Sequence, residues 1–110
     1  HTYPFILRDN EIIELTSGGT MIGIMENLKV DVESTTVRKG DKIIMYTDGL
    51  IEARNKDGVP FDNEILENTI LKTADLPIRD ALDFIHNELV TFCKKDCFED
   101  DICIIGIEIV

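Results

Sequence analysis

Apolar and polar positions along this chain fall into short runs, and their period changes from two to nearly four past the midpoint. Residues 3 to 8 (YPFILR) and 11 to 15 (EIIEL) are apolar runs separated by Asp9-Asn10. Asp and Asn bond their own backbone and tolerate left-handed conformations, so this spacing predicts a β-hairpin. The next ten residues, TSGGTMIGIM, carry three glycines and predict irregular chain. From Leu28 the pattern alternates, with Leu28, Val30 and Val32 on one face and Lys29, Asp31 and Glu33 on the other. That is the signature of a half-buried strand, here running to about Val37.

Lys39-Gly40-Asp41 predicts a turn, and Lys42 to Tyr46 (KIIMY) an apolar strand suited to a sheet interior. This strand stops on Thr47-Asp48-Gly49. Such an ending is either a turn, given the ordinary chemistry of Asp and Gly, or a carboxylate held at the mouth of a sheet. After a polar loop containing Asp57-Gly58, Asp62 is placed as an N-cap, and Phe61 and Leu66 have the spacing of a hydrophobic staple. A helix to about Thr73 follows from that start.

Pro77 suits a first helical turn, after which Ile78, Leu82, Ile85, Leu89 and Phe92 recur at helical spacing. The closing run, Ile102 to Val110 (ICIIGIEIV), predicts a buried strand. Strands, two helices and a last strand imply an α+β fold, a mostly antiparallel sheet with two helices packed on one face.

Composition narrows the possibilities. At 110 residues the chain forms a single unit, residues 1–110, with a modest core. No apolar run approaches the roughly 20 residues of a membrane span, and the first residues do not resemble a signal peptide. We therefore expect a cytoplasmic segment with no membrane contact. The 22 acidic and 11 basic residues give a net charge of −11, which repels phosphate backbones, so nucleic acid is not an expected partner. Such an acidic surplus serves solubility or gathers carboxylates around a divalent cation.

Cys93, Cys97 and Cys103 form no CxxC pair, which argues against zinc and for buried or half-buried free thiols. His1 and His86 are too few for a histidine metal site, and His86, beside the apolar stripe, is expected at the surface.

Acidic residues stand at the ends of two apolar strands: Asp48 after residues 43 to 46, and Glu99-Asp100-Asp101 before the last strand. If these strands are antiparallel neighbours, Asp48 and Asp100 face each other. Close carboxylates repel unless they share a proton or a cation, and oxygen donors without His or Cys favour a hard ion such as Mg²⁺ or Mn²⁺. Alternation along an extended chain keeps Asp100 and Asp101 from both pointing at one ion. Spacing alone leaves open the reading of two acidic loop ends facing water.

YTDGLIEARN, followed some way on by EDDICIIGIEI, resembles the C-terminal half of the metal-dependent 2C-type (PPM) protein phosphatases, and most closely the SpoIIE/RsbU type. His1-Thr2-Tyr3-Pro4, Gly18-Gly19 with Ile22-Gly23, and Lys39-Gly40-Asp41 match further motifs of that family in the same order. The resemblance covers essentially the whole chain. It implies half of a two-sheet β-sandwich and a two-metal site for Mn²⁺ or Mg²⁺ at which water, with no protein nucleophile, hydrolyses phosphoserine or phosphothreonine.

By the same resemblance Asp48 and Asp100 are metal ligands. Gly49 keeps bulk away from the site, and Asp101 supports it from behind. Glu52 and Arg54 are expected to fix the adjoining loop through polar contacts. Cys103 stands where the family usually has Thr, a departure that concerns packing more than chemistry. The implied substrate is a small phosphorylated regulator, such as an anti-sigma-factor antagonist in a bacterial partner-switching circuit.

Nothing in the chain matches the family's Asp-centred GDVSGHG motif, which completes the metal site. We therefore expect the 110 residues alone to be inactive and to self-associate through exposed sheet edges and an uncovered apolar face. The alternative is a non-catalytic protein-interaction module derived from this fold.

Overall fold

The computed structural model describes residues 2–15, 34–94 and 101–110. Within them a four-stranded antiparallel sheet is built from β1 (Phe5–Arg8), β2 (Glu11–Glu14), β3 (Lys42–Tyr46) and β4 (Ile104–Glu108), in the spatial order β2-β1-β3-β4. The hairpin forms as the spacing predicts, because Asp9 and Asn10 both adopt positive φ between β1 and β2. β3 is an interior strand, pairing Phe5 with Ile44 on one side and Ile44 with Gly106 on the other.

Three helices accompany the sheet: α1 (Asp48–Glu52), α2 (Asn63–Leu71) and α3 (Ile78–Cys93). The Asp62 side chain accepts from the Ile65 amide at 3.0 Å, and Phe61 and Leu66 are both buried beside it, as cap and staple require. α3 begins after Pro77 and ends on Lys94, whose left-handed backbone returns its amide to the Val90 carbonyl. Its buried line is Ala81, Ile85, Leu89 and Cys93, while Ile78, Leu82 and Phe92 lie at its half-buried margin. The helices cover one face of the sheet, where Phe5, Leu7, Ile44 and Tyr46 meet Leu50, Phe61, Leu66, Ile70, Ile85 and Leu89. Phe5 stacks on Tyr46, and Phe61 meets Phe92 edge to face.

Three expectations are corrected. The strand expected to run from Leu28 to Val37 falls partly outside the described residues, and its described part, 34–37, is exposed and not a strand. That stretch is held instead by Arg8, which donates to the Thr36 carbonyl and to Asp41. The turn and polar loop expected after Tyr46 contain a short helix, α1, because turning the chain there sends Leu50 fully into the core.

The last strand was expected to be buried, yet among the described residues β4 is an edge strand with Ile105 and Ile107 about half exposed. The register puts both on the sheet face away from the helices, together with Ile13, Ile43 and Met45. That face is apolar and only partly covered. The glycine-rich residues 16–25 also lie outside the described residues.

Candidate functional site

The site is built where β3 ends. The last ladder pair of β3 and β4 is Tyr46↔Ile104, which brings the chain after Tyr46 alongside the chain before Ile104. Pairing continues one residue further through Thr47. Its amide donates to the Cys103 carbonyl at 3.1 Å, and its hydroxyl oxygen accepts from the Cys103 amide at 3.0 Å. The same hydroxyl donates to the Asp101 carbonyl at 3.4 Å. Asp48 is the first residue of α1, with its side chain exposed. The Leu50 amide closes the turn onto the Thr47 carbonyl.

Gly49 is buried directly against the neighbouring segment. A Cβ there would collide with the Asp101 carbonyl oxygen and lie 3.3 Å from Ile102 Cγ1. Space, and not an unusual φ, therefore demands glycine. This requirement adds to the expectation that Gly49 keeps bulk from the site. Asp101 is exposed. The structure thus brings Asp48, Gly49 and Asp101 to one end of the sheet, and Asp100 lies outside the described residues.

The surroundings are acidic. Tyr46, just inside the site, donates its hydroxyl to Asn63 Oδ1 at 3.1 Å. Burial pushes its phenol above the ordinary value, and the negative charges of Glu14, Glu67 and Asp48 add to the shift. Among the described residues no group of three or more His, Cys, Asp or Glu is placed to hold a metal ion. What this end of the sheet offers is carboxylate and carbonyl oxygen, which suits a hard cation but falls short of the six or more ligands such an ion takes. The described residues fit one part of a ligand set.

Downstream of α1 the loop is held by Arg54 and Asn55. Arg54 Nη1 donates to the Gly58 carbonyl at 2.6 Å, and Asn55 Oδ1 accepts from the amides of Asp57 and Val59. Arg54 therefore fixes the loop as expected. Glu52 is exposed and its side chain makes no hydrogen bond among the described residues, so the loop-fixing role expected of it is not observed there.

Cys93 is buried and Cys103 is exposed with a free thiol, while Cys97 lies outside the described residues. Cys103 corrects the expectation of burial, because it is drawn into the site by its backbone and not by packing. His86 is exposed on α3, as expected. Sequence reasoning quoted Thr47 without a role; its only signal was a hydroxyl residue between an apolar strand and an aspartate.

The fold is shared with part of a solved phosphatase domain. It superposes on the phosphatase domain of the cell fate determinant SpoIIE from Bacillus subtilis with a TM-score of 0.70, at 22% identity, over 98% of this chain and 48% of that one. A crystal form of the same domain without domain swapping gives a TM-score of 0.68 at 23% identity, over 96% and 45% of the two chains. The Mn-presoaked structure of that domain gives 0.70 at 22% identity, over 98% and 46%.

The chain belongs to the SpoIIE family, since the model for stage II sporulation protein E matches residues 1–110. It is also 31% identical over 109 residues to protein IcfG of Synechocystis sp., covering 97% of this chain and 17% of that protein. The chain thus spans less than half the length of the relatives it matches. Among the described residues no helix is long and apolar enough to cross a membrane.

Proposed function

We propose that these residues form the C-terminal portion of a cytoplasmic, Mn²⁺- or Mg²⁺-dependent phosphoserine/phosphothreonine protein phosphatase, acting on a phosphorylated regulatory protein in bacterial signalling. The observation that carries the reading is the antiparallel register of β3 and β4, which sets Asp48 beside the segment that begins at Asp101. Asp48 and Asp100 serve as metal ligands in this reading, with Asp101 and Gly49 in support. Bound divalent ions lower the pKa of coordinated water and neutralise phosphoryl oxygens. The chain's own part is to hold carboxylates open to solvent at a sheet end and to shape the surface around them.

The remaining ligands come, in this proposal, from the part of the domain that these 110 residues do not span, and the isolated residues have little or no activity. The partly covered face carrying Ile13, Ile105 and Ile107 supports this division, because a second layer packed there removes apolar area from water. Isolated, the same face favours association between chains.

The same face, with the lack of a three-residue ligand cluster among the described residues, gives the second reading: a non-catalytic interaction module. Mn²⁺-dependent hydrolysis of a phosphoserine peptide by the full-length protein decides between the two. Loss of turnover in both Asp48→Asn and Asp100→Asn with folding intact supports the phosphatase, and turnover indifferent to both substitutions, or absent altogether, moves the assignment to the module.

A further inference from the structure

We infer that Thr47 and Gly49 act together as a positioning clamp that sets the distance between Asp48 and residues 101–103, which lead into β4. The inference rests on the phosphatase reading and assigns roles to two residues that touch neither metal nor substrate. Three observations converge. The Thr47 hydroxyl is used in both directions, accepting from the Cys103 amide at 3.0 Å and donating to the Asp101 carbonyl at 3.4 Å. Only a hydroxyl side chain of this size does both. Two positions on, the backbone of Gly49 packs so closely on the Asp101 carbonyl that a single methyl group would push the segments apart. Asp48 lies between these two grips, so the residues on each side of it bind the same stretch, 101–103.

The physical need for such a clamp lies in like charge. Carboxylates gathered at one sheet end repel before any cation arrives, and the repulsion drives the two segments apart. A site that must be preorganised for a cation therefore needs an uncharged tie across the gap. Thr47 supplies that tie by side chain and Gly49 by the lack of one. A β-branched residue in the extended conformation seen at Thr47 also holds its hydroxyl in a restricted rotamer set.

The test uses the full-length protein, with Mn²⁺ alone as the titrant and a phosphoserine peptide as substrate. Thr47→Val keeps the shape and removes the hydroxyl, whereas Thr47→Ser keeps the hydroxyl. Thr47→Val is expected to weaken Mn²⁺ binding by roughly 10- to 100-fold, the range found when groups that orient metal ligands are lost. It should also speed amide exchange at Cys103, leave the unfolding midpoint in place, and recover turnover at high Mn²⁺.

Thr47→Ser should stay near wild type, and Gly49→Ala, if it folds, should follow Thr47→Val. Thr47→Val with wild-type Mn²⁺ affinity in an active protein overturns the clamp and leaves the phosphatase reading standing. A wild-type protein that neither binds Mn²⁺ nor hydrolyses the peptide overturns the phosphatase reading and takes the clamp with it.

Discussion

An aspartate stands at each end of β3, and the fold treats the two in opposite ways. Asp41, just before the strand, is almost fully buried and accepts from Arg8 Nε at 3.0 Å, Arg8 Nη2 at 2.7 Å and the Arg38 amide at 2.8 Å. Beside it Lys42 is also buried, its ammonium donating to the carbonyls of Thr73 and Ala74 just beyond α2. Both buried charges at that end therefore have partners. Asp48, just after the strand, is exposed and makes no side-chain hydrogen bond among the described residues.

Only seven positions and one strand separate the two carboxylates, so residue type does not explain the difference. Asp41 holds the fold together. The fold in turn holds Asp48 available, through its neighbours Thr47 and Gly49.

The largest expected effect tests the Asp48 end. In the full-length protein Asp48→Asn should lower Mn²⁺-dependent turnover by at least about 100-fold, since metal neutralisation of transition-state charge is worth several kcal/mol. Stability should change by less than about 1 kcal/mol, the scale of one carboxylate at an exposed helix start. A variant that loses turnover only because it unfolds, seen by circular dichroism, breaks the comparison.

Asp41→Asn should do the reverse, lowering the unfolding midpoint while leaving turnover of the folded protein in place. Arg8, chiefly by its hydrogen bonds, holds the Asp41 carboxyl down at about 2. A folded value below the unfolded one, which lies near 3.8, stabilises the protein above that unfolded value, and this contribution is lost as pH falls toward about 2. Urea unfolding from pH 5 downward should therefore show a loss of stability in this window. The loss should be weaker in Asp41→Asn, and equal slopes in the two proteins sink the assignment.

Lys42→Met keeps the volume but leaves the carbonyls of Thr73 and Ala74 without their charged donor. Chemical denaturation should show a cost of about 1–3 kcal/mol, as for hydrogen bonds to charged groups. The smallest effect is expected at Arg54→Ala. It loses one exposed bond to the Gly58 carbonyl, so stability should fall by about 1 kcal/mol or less. A larger loss there would mean that the loop after α1 carries the site, not the ends of β3.

Much of this molecule is legible in one dimension because its signals are local. The hairpin turn at Asp9-Asn10, the Asp62 cap with its Phe61–Leu66 staple, and the stripe from Ile78 to Phe92 each follow from chemistry within a few residues. Motif order carried the candidate site, with Asp48, Gly49 and Asp101 brought to one end of the sheet. The exposure of β4 was not legible. Its run of β-branched residues reads the same whether a strand is central or at an edge, and only strand order and layer coverage tell them apart.

By itself, then, the sequence determined the alternation of strands and helices, the polar ends of β3 and the family to which the chain belongs. Tertiary structure alone decided which aspartate is buried. Asp41 meets Arg8 from 33 residues away, and Thr47 grips Cys103 from 56 residues away. Separations of that size leave no periodic trace in the chain, since such contacts arise only when two antiparallel strands bring remote segments within hydrogen-bonding reach.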